Sequence, residues 1–98
     1  MKIQWSNRAL ISYIDNLEFI LLIWNEKTTL DFIELVQDTL NRLKKNPFIG
    51  KPFNKNIRQI ILHKNASLFY EINEKTKTIN ILFITDNRQN PKDYSKLL

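Results

Sequence analysis

Apolar and polar positions along the chain fall into six periodic blocks separated by short polar breaks. Lys2 to Trp5 alternates and predicts a short strand. Ser6 follows as an N-cap, and Leu10, Ile14, Leu17, Leu21 and Trp24 recur at helical spacing, with Tyr13 and Ile20 widening the stripe. This predicts a first helix over about residues 7–25, with that stripe facing the core. Thr28 or Thr29 then caps a second helix, with Asp31 in its first turn, where negative charge suits the helix dipole. Ile33, Val36, Leu40 and Leu43 form its apolar face. Lys44 and Lys45 sit at its negative end, and Asn46-Pro47 stops it. The short link between the two predicts an antiparallel helical hairpin.

Pro47 to Asn56 holds two of the three prolines and the only glycine, and reads as a loop. Gly50 is expected at a positive φ within it. Three strands follow. Ile57 to His63 is the first, and Leu68, Tyr70 and Ile72 alternate with polar residues in the second. Ile79 to Thr85 is the third, and its continuous apolar run suits a central strand buried on both faces. Lys64-Asn65 and Asn73 to Thr78 are hairpin connections. The order is β-α-α-β-β-β. It predicts an α+β fold with the helical hairpin on one face of a small, mainly antiparallel sheet. With no repeats or linkers, residues 1–98 read as a single domain.

Composition narrows the chemistry. The chain has no cysteine, so disulfides, thiolate nucleophiles and cysteine-ligated metals are excluded. A single histidine excludes a metal site needing two, and neither metal nor cofactor is expected. The longest apolar run, Phe19 to Trp24, is too short to span a bilayer, and no leader pattern opens the chain. The expectation is a cytoplasmic protein without membrane association.

Charge is unevenly placed. The formal charge is +5, but residues 1–40 carry net −3 and residues 41–98 net +8. No acid lies between Asp38 and Glu71, a stretch holding Arg42, Lys44, Lys45, Lys51, Lys55, Arg58 and Lys64. A one-signed surface of this kind suits nucleic acid or an acidic protein; a solvated lysine-rich face gives the same pattern. Tyr70 reads as core, and His63, ending a strand beside Lys64, as a surface residue.

In this order the details resemble the RelE/ParE superfamily of bacterial type II toxin–antitoxin toxins. The resemblance runs over nearly the whole chain. It is carried by Trp5 ending the first strand, Ala9 early in helix one, and Leu43-Lys44-Lys45-Asn46-Pro47 followed by Gly50. Ile57-Arg58, Leu68-Phe69-Tyr70-Glu71-Ile72 and the ending Asp86-Asn87-Arg88-Gln89-Asn90-Pro91 complete it. It implies a growth-arresting toxin of a plasmid-stabilisation type of module, free of any cofactor and held by a cognate antitoxin in a hetero-oligomer. ParE-like members act on DNA gyrase; RelE-like members are metal-independent mRNA interferases that cleave mRNA on the ribosome. The shared fold does not choose between them.

For the ribonuclease reading, the resemblance assigns catalytic roles to Arg58, Arg88 and Tyr94. Two other basic positions of that pattern are Ile60 and Ser67 here. A site that works by stabilising phosphate charge loses about 3 kcal/mol for each such group. The departures favour gyrase inhibition, with the endoribonuclease as the alternative and a catalytically inactive binding member as a third reading. Lys44, Lys45, Lys51, Lys55, Arg58 and Lys64 are the expected contacts to a target or nucleic acid. The run Phe19 to Trp24 covers all sides of a helix, whereas a two-layer domain buries one. Phe19, Leu22 and Ile23 are therefore expected to be exposed and to bind the antitoxin.

Overall fold

The computed structural model describes residues 1–63 and 66–86. Ser6 ends β1 (Lys2–Trp5) and starts α1 (Asn7–Ile23), its side chain accepting the Ala9 N–H at 3.0 Å. α2 (Glu26–Lys45) begins earlier than the threonines suggest. Asn25 is the N-cap, accepting the Thr28 N–H at 2.8 Å, while the Thr29 hydroxyl turns back onto the Asn25 carbonyl at 2.9 Å. Thr28 and Thr29 thus lie in the first turn, and the two helices are joined through Trp24 and Asn25 alone.

The stretch read as a loop contains a further strand, β2 (Lys51–Asn54), paired with β3 (Ile57–His63). Pro52 hid it. A proline is tolerated there because β2 is an edge strand, where its missing N–H forfeits no ladder bond. β4 (Ala66–Asn73) and β5 (Thr78–Asp86) complete a sheet of order β1-β5-β4-β3-β2. β1 runs parallel to β5, and every other pair is antiparallel. The helices cover one sheet face. Val36, Leu40 and Leu43 meet Leu68, Tyr70, Ile79 and Ile81 there in one buried cluster. His63 is half-buried, its ring edge-on to Phe32 at 5.7 Å, rather than free at the surface.

α1 does not present the expected stripe to the core. Leu10, Ile14, Leu21 and Trp24 are exposed, and the buried side is Ala9, Ser12, Asn16 and Ile20. The helix is rotated by about one residue, or 100°, from the orientation its apolar periodicity predicts. The reason is a backbone need. β1 pairs with β5 only as far as Ile81, so beyond it the edge of β5 lacks a strand. Ser12 Oγ accepts the Ile84 N–H at 3.0 Å, and Asn16 Nδ2 donates to the Ile84 carbonyl at 3.2 Å. Two helix side chains replace the missing strand, since a buried N–H or C=O left unpaired costs about 1–3 kcal/mol. No helix among the described residues is long and apolar enough to cross a membrane.

Candidate functional site

The segment after α2 is held by a compact latch. Tyr70 is fully buried on β4 with its hydroxyl at the segment's backbone. That hydroxyl accepts the Gly50 N–H at 2.9 Å and donates to the Pro47 carbonyl at 2.6 Å. Burial raises the Tyr70 pKa above its usual 10.0, although the Gly50 N–H and the Arg58 charge pull it down. Gly50 does not have the expected positive φ. Glycine is needed for close approach: a Cβ there would lie 2.6 Å from the Tyr70 hydroxyl oxygen.

Arg58, across the strand pair from Tyr70, completes the latch. Its Nη1 donates to the Gly50 carbonyl at 2.7 Å and the Phe48 carbonyl at 3.3 Å, and the guanidinium lies 5.1 Å from the Phe48 ring centre. The side chain expected at a phosphate or partner therefore has a structural task on the helix-bearing face. It also borders an open basin of about 590 Å³ with Phe48, Lys55, Glu71 and Lys75. Both signs of charge line that basin, so it is not a plain anion pocket.

The basic block does not converge on one site. Lys44 borders a groove beside β1, Lys51 lies near Arg42, and Lys55 borders the basin. Lys45 is exposed at the end of α2. Lys64, Arg88 and Tyr94 lie outside the described residues. Among the described residues no group of three or more histidines and carboxylates could hold a metal ion.

The sheet face away from the helices was missed by the sequence reading. Direct cross-strand partners share a face, so the rows Lys51–Gln59–Phe69–Phe83 and Ile61–Ser67–Thr85 lie together. Phe53 packs edge-on to Phe69 at 4.9 Å, and Gln59 donates to Ser67 Oγ at 3.0 Å. The buried Thr85 hydroxyl has no hydrogen-bond partner among the described residues. Ile60 opposes Leu68 and is buried in the core on the helix side. The position compared with a catalytic cation is thus a core position, and its face-bearing neighbours are Gln59 and Ile61. Within β3, β4 and β5 no described lysine or arginine stands on this face; Lys51 is at its margin. A register shift between Phe69 and Tyr70 breaks the alternation of β5, so that Ile79, Ile81 and Ile84 turn inward, and with apolar residues on both faces the sequence did not mark this face.

α1 carries an open apolar surface. Leu22 is 83% exposed, Ile23 55% and Phe19 39%. Leu10, Ile11, Ile14, Leu21 and Trp24 extend it along the helix, and Leu30 continues it onto α2. Within the series 10, 14, 17, 21, 24, Leu17 packs against the core and the other four are exposed.

The profile of the ParE toxin of type II toxin–antitoxin systems (parDE) matches residues 3–91. No curated relative matches the sequence. The fold is similar to a chain of the chromosomal ParDE toxin–antitoxin system from P. aeruginosa, with TM-score 0.73 and 16% identity over 88% of this chain and 95% of that one. It is similar to isolated E. coli RelE toxin, with TM-score 0.64 and 12% identity over 99% and 98%. A chain of the intact E. coli RelBE toxin–antitoxin complex aligns with TM-score 0.61 and 12% identity over 86% and 93%.

Proposed function

The chain belongs to the ParE toxin family of type II toxin–antitoxin systems, and from that premise we propose that it arrests growth by binding DNA gyrase, protein against protein, until a cognate antitoxin sequesters it. The observation that carries the gyrase reading is the sheet face away from the helices, whose central residues Ser67, Phe69, Phe83 and Thr85 are buried. Metal-free RNA cleavage needs cations aimed at the phosphate, each worth about 3 kcal/mol in the transition state. β3, β4 and β5 put no described cation on that face, and Arg58 is committed to loop carbonyls on the other side.

The apolar surface of α1, centred on Phe19, Leu22 and Ile23, is the antitoxin site in this reading. A partner helix with its own apolar seam would remove that surface from water. Lys44, Lys45, Lys51, Lys55 and Lys64 steer acidic partners toward the chain, a rate effect that salt weakens.

Purified gyrase decides the target. The chain should inhibit supercoiling at micromolar concentration, and added antitoxin should restore it. Full supercoiling at that concentration would refute the gyrase reading. New mRNA breaks in translated regions, mapped by primer extension and lost in an Arg88→Ala/Tyr94→Phe variant, would establish the ribonuclease instead. Expression without any growth arrest would leave the inactive binding member.

A further inference from the structure

The sheet edge remote from β1 is only partly covered. β2 pairs with β3 from Asn54 as far as Lys51, which opposes Gln59, so β3 beyond Gln59 has no outer strand among the described residues. A cleft of about 130 Å³ opens where β2 stops. It is lined by Arg42 of α2, Ile49, Lys51 of β2, and Gln59, Ile60 and Ile61 of β3.

Two cations therefore meet at this cleft from different elements, and no carboxylate lines it. Neither Arg42 nor Lys51 has an ion-pair partner among the described residues, although Asp38 stands one turn before Arg42 on α2. Lys45 follows three residues after Arg42, exposed on the same flank of the helix. The result is a row of three cations whose charge no neighbouring acid offsets, and an anion placed among them lowers their mutual repulsion.

We propose that this edge binds the sugar–phosphate backbone of a DNA duplex, with one phosphate at the cleft between Arg42 and Lys51 and a neighbouring one at Lys45. Three cations in a row suit the repeating charge of a backbone better than one free phosphate, which needs the cleft alone. A single strand is a poorer fit, because such sites stack bases on aromatic rings and no aromatic residue lines the cleft. The other lining residues are three isoleucines and Gln59, whose amide donates to Ser67 Oγ at 3.0 Å. Nothing there is poised to read base edges, so the contact is independent of sequence. This goes beyond the gyrase reading. It gives the chain a contact of its own to DNA, the polymer on which gyrase works, and that contact is measured without gyrase.

The test titrates the full chain into a short fluorescent duplex and reads anisotropy from about 50 to 200 mM salt. Micromolar binding is expected at the low-salt end, with log K falling against log salt at a slope of about −2.7 for three phosphates. The Arg42→Gln/Lys51→Gln variant should bind about tenfold or more weakly, and its slope should shrink to about −1. Both residues are exposed, so an unchanged melting curve will show an intact fold. Lys55→Gln/Lys75→Gln removes the same charge from the basin and should change binding by less than about twofold. Equal losses in the two variants would make this an effect of net charge and overturn the proposal. So would absence of binding at about 100 µM chain in low salt. Tighter binding of a single strand of DNA or RNA of the same length, or release of the duplex by millimolar inorganic phosphate at constant ionic strength, would overturn it too. A chain that inhibits gyrase yet binds no duplex refutes this inference alone. A chain that binds duplex through this edge yet leaves gyrase active refutes the gyrase reading alone.

Discussion

Gly50→Ala should lower the melting temperature by about 10–35 °C. The added Cβ would meet the Tyr70 hydroxyl oxygen at 2.6 Å and its Cε1 at 2.8 Å. Tyr70 has no room to retreat, being fully buried with its hydroxyl bonded to Gly50 and Pro47. Overpacking of this kind costs about 1–3 kcal/mol. Stretching the two hydrogen bonds to relieve it forfeits about 1 kcal/mol for each. Gly50 lacks a positive φ, so alanine adds no backbone strain and recovers about 0.4–1 kcal/mol by restricting the unfolded chain. The net loss is about 2–4.5 kcal/mol, and a domain of this size shifts by about 4–8 °C per kcal/mol. Thermal unfolding followed by circular dichroism measures it. A double-mutant cycle with Tyr70→Phe sharpens the test, since that change removes the nearest clashing atom. The two losses should couple by about 1 kcal/mol or more. A shift under about 3 °C, or strictly additive losses, would refute the latch as described.

Ser12→Ala should cost about 1–3 kcal/mol in urea unfolding, because it leaves the buried Ile84 N–H without an acceptor; a loss under about 0.5 kcal/mol would mean that water or a shifted Asn16 takes over. Leu22→Asp should leave stability unchanged, since Leu22 is 83% exposed, while weakening antitoxin binding about tenfold or more by calorimetry. Stability should fall as pH rises above about 10. Burial raises the pKa values of Tyr13 and Tyr70, so the unfolded chain releases these protons first and binds fewer of them, and the slope against pH is negative. Tyr13→Phe and Tyr70→Phe should each flatten that slope in denaturation series at alkaline pH.

The sequence alone determined six of the seven elements in order, the α+β class and the family, because each rests on local information; the edge strand β2 escaped it. Periodicity marks a helix or strand, Ser6 and Asn46-Pro47 mark ends, and the ordered motifs mark kinship. Exposure of Phe19, Leu22 and Ile23 was also legible, since an apolar run around a whole helix exceeds what one sheet face can cover. Tertiary structure decided which side of α1 turns inward. The unpaired edge of β5 at Ile84 selected Ser12 and Asn16 over Leu10, Ile14 and Leu21, and no local pattern records a need created by a strand sixty and more residues away. It decided likewise that Gly50 serves close approach to Tyr70, that Arg58 clamps a loop, and that Ile60 lies in the core while Gln59 and Ser67 share the sheet face away from the helices. Each of these depends on which backbone groups long-range pairing leaves unsatisfied, and on strand parity, which one residue of register reverses.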